Sequence, residues 1–210
     1  MTPADKISKQ TIHLDCGDYV LRTVTVADAS DRWGEWLDDP VAAYMLNAHR
    51  KVHTKAEMVK YIASFDQRTH ILLGIFKRDS GLLLGISRVD IEEQSQRFMV
   101  QGLIGEPDYR HKGVGTAVFP AFRDYFFETL GLKMYLATAL SHNRPVINYL
   151  LKTGFHLEKK IERHVKSRGD DSMLDLCFFT LSAESWRAWK SKNLASVAAS
   201  PLPRGGRDSG

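Results

Sequence analysis

Several runs of β-branched and other hydrophobic residues, separated by polar segments, predict a series of β-strands. The first stretch, 19–26, is rich in β-branched residues. Three later stretches follow one another with only short polar joints between them, which is typical of antiparallel hairpins. These three strands are 69–76, 82–91 and 96–104, and the last three are 133–139, 155–164 and 173–181.

Other stretches place hydrophobic residues three and four positions apart, as amphipathic helices do. Trp33 and Trp36 predict a first helix that is broken at Pro40. Thr54 with Glu57 three residues later forms a capping-box pattern before a second helix. Further helices are predicted over 113–130 and 143–153, and a short one after residue 182.

The order of these elements places hairpins first and strand–helix–strand units later. This order predicts an α/β (α+β) fold in which a mixed, mostly antiparallel central sheet is flanked by helices. Residues 1–190 are predicted to form one domain. From about residue 191 the sequence turns to Ser, Ala, Pro and Gly, which predicts a disordered tail over 191–210.

The composition is that of an ordinary globular protein, with 43% hydrophobic and 26% charged residues. The formal net charge is +4, but part of it comes from the C-terminal end of the chain. The basic balance is therefore weak evidence for a nucleic-acid partner, and none is expected. The positive residues of that end are Lys190, Lys192, Arg204 and Arg207.

Cysteine usage and hydropathy narrow the protein class further. Cys16 and Cys177 lack the short spacing of a zinc site, so no metal is expected. They are interpreted as buried reduced thiols, with a single disulfide as the alternative. No stretch approaches the roughly 18 consecutive apolar residues of a membrane helix. Residues 1–10 are polar and unlike a signal peptide, so no membrane partner and a cytoplasmic location are expected.

One segment carries recognisable chemistry, Arg110-His-Lys-Gly-Val-Gly115, because it follows a predicted strand and opens a predicted helix. Two glycines let the backbone approach a bulky ligand, and the unpaired N–H groups of a helix N-terminus favour an anion such as a pyrophosphate. Gly115 is followed by Thr-Ala, not by the Lys-Ser/Thr ending of a P-loop. Position 118 is Val and not the third glycine of a dinucleotide fingerprint. A plain glycine-rich turn stays open as the alternative.

The same segment resembles the coenzyme-A loop of the GNAT acetyltransferase superfamily, which reads Gln/Arg-x-x-Gly-x-Gly/Ala. The resemblance extends to Asn143 at a helix start, with Gly154-Phe155 eleven residues later, and covers about Tyr19 to Trp186. The closing stretch, 181–186, is similar to the end of the branch that acetylates ribosomal-protein N-termini. Pro120 lies inside the helix after the loop and predicts irregular first turns.

The resemblance implies a fold, a co-substrate and a reaction. Acetyl-coenzyme A is expected in a splay between the strand ending near Ile104 and the strand starting near Lys133, where an amine attacks the thioester in a ternary complex. The acceptor is a peptide N-terminus, an amino sugar or another small amine, and a homodimer is one expected assembly. The resemblance implies cofactor contacts from Leu103, Ile104, Gly105, Arg110, His111, Lys112, Gly113, Val114, Gly115, Thr116 and Asn143.

The sequence offers several candidates for the groups that transfer protons during the reaction. Glu106 is the first candidate for the general base, followed by Glu92 and His142. Many relatives carry a Tyr four residues before the Gly-Phe pair, where it protonates the leaving thiolate, but Leu150 occupies that position and Tyr149 is one step away. A non-catalytic coenzyme-A-binding module is therefore the alternative function. Acceptor contacts are expected from Tyr44, Met45, Asn47, His49 and Arg50.

Overall fold

A computed structural model describes residues 7–198. Within these residues the strands are β1 (His13–Cys16), β2 (Tyr19–Thr23), β3 (His70–Lys77), β4 (Leu83–Glu92), β5 (Arg97–Ile104), β6 (Met134–Leu140), β7 (His156–Lys166) and β8 (Met173–Ser182). The α-helices are α1 (Asp31–Glu35), α2 (Pro40–Leu46), α3 (Lys55–Ala63), α4 (Val114–Asp124), α5 (Arg144–Lys152) and α6 (Ala183–Ala198).

The eight strands form one sheet in the order β1-β2-β3-β4-β5-β6-β8-β7. Strands β1 to β5 pair antiparallel in sequence order, as their short connections predict. The single parallel pair is β5 with β6, because α4 crosses over between them. The predicted mixed, mostly antiparallel sheet flanked by helices is therefore confirmed.

Each face of the sheet has its own hydrophobic cluster. On one face, α4 and α6 cover Ile71, Val89 and Phe98, which are each at most 1% exposed. On the other face, Trp33 and Trp36 from the α1 region pack over β3 with residues of α3. Both clusters lie against β3 and β4, so the centre of the sheet is fixed by packing from two sides.

Two elements differ from the sequence-based prediction near the N-terminus. Strand β1 pairs with β2 although its sequence shows no clear strand pattern. Asp39-Pro40 does break α1, but it also begins α2, because the Asp39 carboxylate accepts hydrogen bonds from the N–H groups of Val41 and Ala42. Proline is tolerated at the first helical position, because an N–H at that position would have no acceptor within the helix.

Helix α4 departs from the predicted irregularity at Pro120. The chain is α-helical from Val114 through Asp124, and the irregular part is a π-helical turn at Tyr125–Thr129. The prediction of irregular first turns is therefore wrong. The N-terminal turns of α4 are regular, and the irregular turn follows its C-terminal end.

The C-terminal boundary also differs from the prediction. Helix α6 continues to Ala198, eight residues past the predicted domain end at 190. Its Trp186 is fully buried and donates a hydrogen bond to Asp124 at 2.8 Å. The part of the predicted tail from 199 to 210 lies outside the described residues, as do residues 1–6.

Two further findings concern the expected protein class. Cys16 and Cys177 are both buried free thiols, as predicted, and the disulfide alternative is excluded by the structure. No helix among residues 7–198 is long and apolar enough to cross a bilayer.

Candidate active site

The centre of the site is a gap between β5 and β6. The two strands pair only from Arg97 to Met99 on β5, opposite 134–136 on β6. Beyond Met99 both strands continue, to Ile104 and Leu140, without pairing to each other. Since successive residues of a strand turn their N–H and C=O groups to opposite sides, every second residue of each diverging segment faces the gap with both groups. This is the splay that the sequence resemblance implies.

A cleft of about 1630 Å³ occupies this gap. Gly102 and Leu103 of β5 and Ala137 and Ala139 of β6 form its side walls. Residues from both faces of the sheet also line it, from the start of α4 on one face and from Trp36 and the α3 region on the other. Two ligands approaching from opposite faces can therefore meet within the sheet.

The loop before α4 presents a helix N-terminus to the cleft. Gly113 caps the helix with φ +78°, a left-handed conformation that glycine adopts without strain, and no side chain caps the first turn. The first helical hydrogen bond runs from the N–H of Ala117 to the carbonyl of Gly113 at 3.0 Å. The preceding amides of Val114, Gly115 and Thr116 thus have no intrahelical acceptor, and all three residues line the cleft.

Arg110 does not serve this loop in the predicted way. Its guanidinium donates to the Asp39 carboxylate, to the carbonyl of Ile104 at 3.0 Å and to the carbonyl of Gly105 at 2.8 Å. Arg110 does not line the cleft, so its charge is neutralised within the protein. The prediction of an anion contact from Arg110 is replaced by a structural role that joins the loop, the end of β5 and the start of α2.

Other predicted cofactor residues divide into two groups. Leu103, Ile104, His111 and the residues from Gly113 to Thr116 all line the cleft. Gly105 does not, because its N–H donates to the carbonyl of Leu84 at 2.9 Å and its own carbonyl accepts from Arg110. The exposed Lys112 lies outside the cleft lining, with its ammonium 6.0 Å from the centroid of the Tyr109 ring.

Asn143 lies at the edge of the cleft, but its side chain is engaged within the protein. Its carbonyl oxygen caps α5 by accepting from the N–H of Val146 at 3.4 Å. Its amide nitrogen donates to the carbonyl of Met45 at 3.3 Å. Asn143 is 9% exposed. It therefore joins the start of α5 to the end of α2, and a direct ligand contact through this amide is not favoured.

Glu106 is placed where a general base is not expected. Its carboxylate is 1% exposed and accepts from Arg32 and from the indole N–H of Trp36. Burial alone would raise the pKa of Glu106, but the hydrogen bonds from Arg32 and Trp36 outweigh it and lower the pKa below its usual value. Glu106 also lies outside the cleft lining. The geometry argues against its predicted role as the base.

The two other predicted bases are also outside the cleft lining. Glu92 lies at the far end of β4, where it pairs with Arg97 and accepts from Ser95. His142 stacks on Tyr44 with ring centroids 4.2 Å apart. Its Nε2 lies 3.2 Å from the Tyr44 carbonyl oxygen. The structure thus brings none of the three predicted bases to the gap between β5 and β6.

The hairpin that joins β7 and β8 lines the cleft beside the loop after α2. Asn47, in the left-handed conformation with φ +49°, donates to the carbonyl of Lys166 at 2.9 Å and accepts from the N–H of Arg168 at 2.7 Å. These two bonds hold the hairpin tip, 167–172, against the loop after α2. Asp170 and Asp171 on this tip are the only carboxylate residues among the described residues that line the cleft.

Of the predicted acceptor residues, Met45, Asn47 and His49 line the cleft, and Tyr44 and Arg50 do not. Arg50 instead pairs with Asp38. His53 also lines the cleft. Its Nδ1 lies 4.0 Å from the Glu57 carboxylate. No sequence motif marks this residue, because its position depends on how the α2–α3 loop packs.

Tyr149 lines the cleft beside the buried Leu150. Its hydroxyl oxygen accepts from Arg123 at 3.3 Å. Arg123 is 2% exposed, and three aromatic rings, those of Tyr149, Phe155 and Trp186, surround its guanidinium at 5.1 to 5.6 Å. Burial raises the pKa of Tyr149, so its hydroxyl keeps its proton at neutral pH.

A family model described as an acetyltransferase (GNAT) domain matches residues 19–156. No curated protein matches this sequence. RimJ of Mycobacterium smegmatis, in complex with CoA-disulfide, superposes with a TM-score of 0.72 at 18% identity, over 90% of this chain and 94% of that one. The ribosomal-protein-S5-alanine acetyltransferase of Vibrio fischeri gives a TM-score of 0.72 at 12% identity, over 83% and 98% of the two chains.

The spermidine N-acetyltransferase of Vibrio cholerae, in complex with CoA and spermine, gives a TM-score of 0.70 at 14% identity, over 81% of this chain and 98% of that one. At such identities the similarity establishes the fold, and proteins with different acceptors share it. The matched family model covers more than half of the chain, including the loop, the splay and the start of α5. The chain therefore belongs to the GNAT family of acetyltransferases and is an N-acetyltransferase.

Proposed function

We propose that this protein transfers an acetyl group from acetyl-coenzyme A to a primary amine by direct attack within a ternary complex. The observation that carries the proposal is the cleft through the β5–β6 gap, with the uncapped start of α4 at one entrance. A gap open to both faces lets the thioester and the amine approach each other from opposite sides. Holding both reactants in one site supplies much of the rate acceleration.

The start of α4 is proposed to bind the diphosphate of the co-substrate. The free amides of Val114, Gly115 and Thr116 and the positive end of the helix dipole favour an anion there. Lys112 adds a positive charge beside them without an ion pair among the described residues. Every second residue at the unpaired end of β5 turns its main-chain N–H and C=O toward the gap, where they could bind the neutral arm, since this part of β5 has no strand partner on its β6 side.

The acceptor is proposed to be an amine that is partly neutral at physiological pH. Apart from Asp170 and Asp171 on the hairpin tip, the described cleft lining contains no carboxylate to remove a proton from a strongly basic amine. An α-amine has a pKa near about 7.8, whereas that of a lysine side chain is near about 10.4. A peptide N-terminus, an amino sugar or a similar small amine therefore fits better than a lysine side chain.

Two residues of the cleft are proposed to handle protons. His53 faces the acceptor side with Glu57 near its other nitrogen, an arrangement that suits a weak base. Tyr149 is proposed to give a proton to the leaving sulfur, because it lines the cleft and burial raises the pKa of its hydroxyl, which therefore stays protonated. These roles replace those predicted for Glu106, Glu92 and His142.

A coenzyme-A-binding module without turnover is the second candidate function. It is favoured by the placement of all three predicted bases outside the cleft lining. The two functions are separated by measuring thiol release from acetyl-coenzyme A with a panel of amines, beside calorimetric binding of the same compound. Binding with turnover of α-amines supports the transferase, and binding without turnover across the panel supports the module.

Glycine variants test the proposed diphosphate site. Gly115→Leu adds a side chain at the start of α4, where even a Cβ would lie 3.3 Å from the Phe119 ring. This variant should weaken coenzyme-A binding at least about tenfold. Gly113→Ala should do the same less strongly. Gly81→Ala is the matched control, because Gly81 has φ +67° and open space but lies in the β3–β4 turn.

Both alanine variants share a backbone cost of about 1–2 kcal/mol, so their stabilities should fall together. Only the Gly113 and Gly115 variants should lose affinity for coenzyme A. If folded Gly115→Leu protein bound coenzyme A as tightly as the wild type, the proposed site would be ruled out.

A further inference from the structure

A buried hydroxyl at the centre of the sheet has no partner in the protein. Ser87, in β4, is 1% exposed, and its Oγ makes no hydrogen bond within the described residues. The only other buried side-chain atom of this kind among those residues is Nε of Arg123. An unsatisfied buried hydroxyl destabilises a folded protein, so a native example requires an explanation.

The position of Ser87 connects it to the cleft. On the neighbouring strand, Gly102 stands directly opposite Ser87, and both residues line the cleft. A Cβ at position 102 would lie 3.0 Å from the Ser87 oxygen. Any side chain on β5 at this point would therefore crowd the hydroxyl, and glycine places no side chain between it and the gap.

The same face of the sheet leads to the start of α4. Ser87 and Val89 point to one face because side chains two apart on a strand do so, and Val89 packs in the cluster beneath α4. Val114, the first residue of α4, and Ile75 line the cleft on this face. The hydroxyl thus lies between the proposed diphosphate site and the open ends of β5 and β6.

The surroundings of Ser87 indicate what kind of group it would bind. Ile75, Val114 and Ile104 are apolar, and Arg88, the next residue of β4, points to the opposite face and pairs with Asp90. A charged group would be poorly solvated there, whereas a carbonyl oxygen needs only one donor. The arm of coenzyme A is a neutral chain with two amides, and acetyl-coenzyme A adds a thioester carbonyl.

We propose that the Ser87 hydroxyl donates a hydrogen bond to a carbonyl oxygen of the acyl-coenzyme A arm, at the place where Gly102 carries no side chain. This inference rests on the proposed function. The carbonyl belongs either to an amide, which coenzyme A also contains, or to the thioester, which only the acylated form contains. Ser87 is thus a binding residue on a strand that does not itself border the gap.

The proposal predicts opposite effects on the free and the liganded protein. Ser87→Ala removes a hydroxyl that has no partner within the described residues, so the melting temperature of the free protein should stay unchanged or rise. The same change should weaken ligand binding about five- to tenfold, the loss of one hydrogen bond. A hydroxyl with a purely structural role gives the reverse pattern.

Thr153→Val is the matched control. The Thr153 hydroxyl is also buried, but it accepts from Arg123 at 3.0 Å, donates to the Tyr149 carbonyl at 2.9 Å and lies outside the cleft lining. This variant should lower the melting temperature and leave coenzyme-A affinity unchanged. Ser87→Cys keeps the shape with a weaker donor, and its affinity should lie between those of the wild type and Ser87→Ala.

Calorimetric titration with coenzyme A and with acetyl-coenzyme A distinguishes the outcomes. Weaker binding of both ligands to Ser87→Ala supports an amide contact, and weaker binding of acetyl-coenzyme A alone supports a thioester contact. Unchanged dissociation constants for both ligands overturn the proposal for Ser87 while wild-type binding still supports the proposed function. Wild-type protein that binds neither ligand refutes the proposed function itself.

Discussion

The guanidinium of Arg32 donates two hydrogen bonds to the carboxylate of Glu106, one of them from Nε at 2.5 Å. Trp36 donates a third at 3.1 Å. The carboxylate lies two residues after β5, yet it faces Arg32 and Trp36 of the α1 region and not the gap. A residue at the end of a central strand is thus used to fix α1 against the sheet.

Glu106→Gln should therefore reduce stability much more than catalysis. Breaking this half-buried pair should lower the free energy of unfolding by about 1–3 kcal/mol. The loss in kcat should stay well below the roughly 100-fold that removal of a general base causes. Denaturant unfolding and steady-state kinetics measure the two effects.

Arg32→Met breaks the same pair from its exposed partner, whose side chain is 59% exposed, and serves as the control. It should cost at least as much stability as Glu106→Gln, because it leaves the buried carboxylate without its cation, and it should change kcat equally little. A large loss of kcat in Glu106→Gln alone would restore Glu106 as the base.

The ion pair between Glu106 and Arg32 also predicts how the stability of the protein depends on pH. The pKa of Glu106 is lowered from its usual 4.5, so the ionised form is favoured by folding. Its contribution to stability should be constant above the usual value and should disappear as the pH falls through the lowered pKa. The stability difference between wild type and Glu106→Gln should therefore shrink only in acid. Unfolding curves at stepwise lower pH measure this difference. A difference that shrinks instead near pH 7 would contradict the assignment.

Arg110 and Lys112 should behave differently although both belong to the loop motif. Arg110→Met removes bonds to Asp39 and to two carbonyls, and it should cost about 1.5–3 kcal/mol of stability. Lys112→Met should leave stability unchanged and weaken coenzyme-A binding a few-fold at low salt, since exposed charges are screened at higher salt. Calorimetry at two salt concentrations measures this.

Asp39→Asn combined with Arg110→Met completes the comparison. If Arg110 acts mainly through Asp39, the double variant should lose little more stability than either single one. Equal losses of coenzyme-A affinity, with equal salt dependence, in Arg110→Met and Lys112→Met would instead assign Arg110 to the ligand.

The bonds from Asn47 to the β7–β8 hairpin predict an effect on the acceptor. Asn47→Gly keeps the left-handed conformation but removes both bonds. Amide exchange over 166–172 should become faster and the KM for the amine should rise, while coenzyme-A affinity stays constant. Gln96→Gly is the control, because Gln96 also has a positive φ, at 53°, but lies in the β4–β5 turn. An unchanged KM for the amine in Asn47→Gly would exclude a role for the hairpin tip in acceptor binding.

The elements that could be predicted are those with local causes. The capping box of Thr54 and Glu57 forms as predicted, with both reciprocal hydrogen bonds. The hairpins from β3 to β5 follow from short polar turns between strand patterns. Helix α2 was missed although Asp39-Pro40 carries a helix-start signal, because the same pair also ends the preceding helix.

The sequence alone determined the family, the order of most strands and helices apart from β1 and α2, and the loop at the start of α4, because each depends on residues close together in the chain. Only the tertiary structure decided that Glu106 pairs with Arg32, 74 residues away, and that Ser87 is left without a partner opposite Gly102. Such pairings arise when the sheet and its helices pack, and no local pattern records which distant side chain will satisfy a buried polar group.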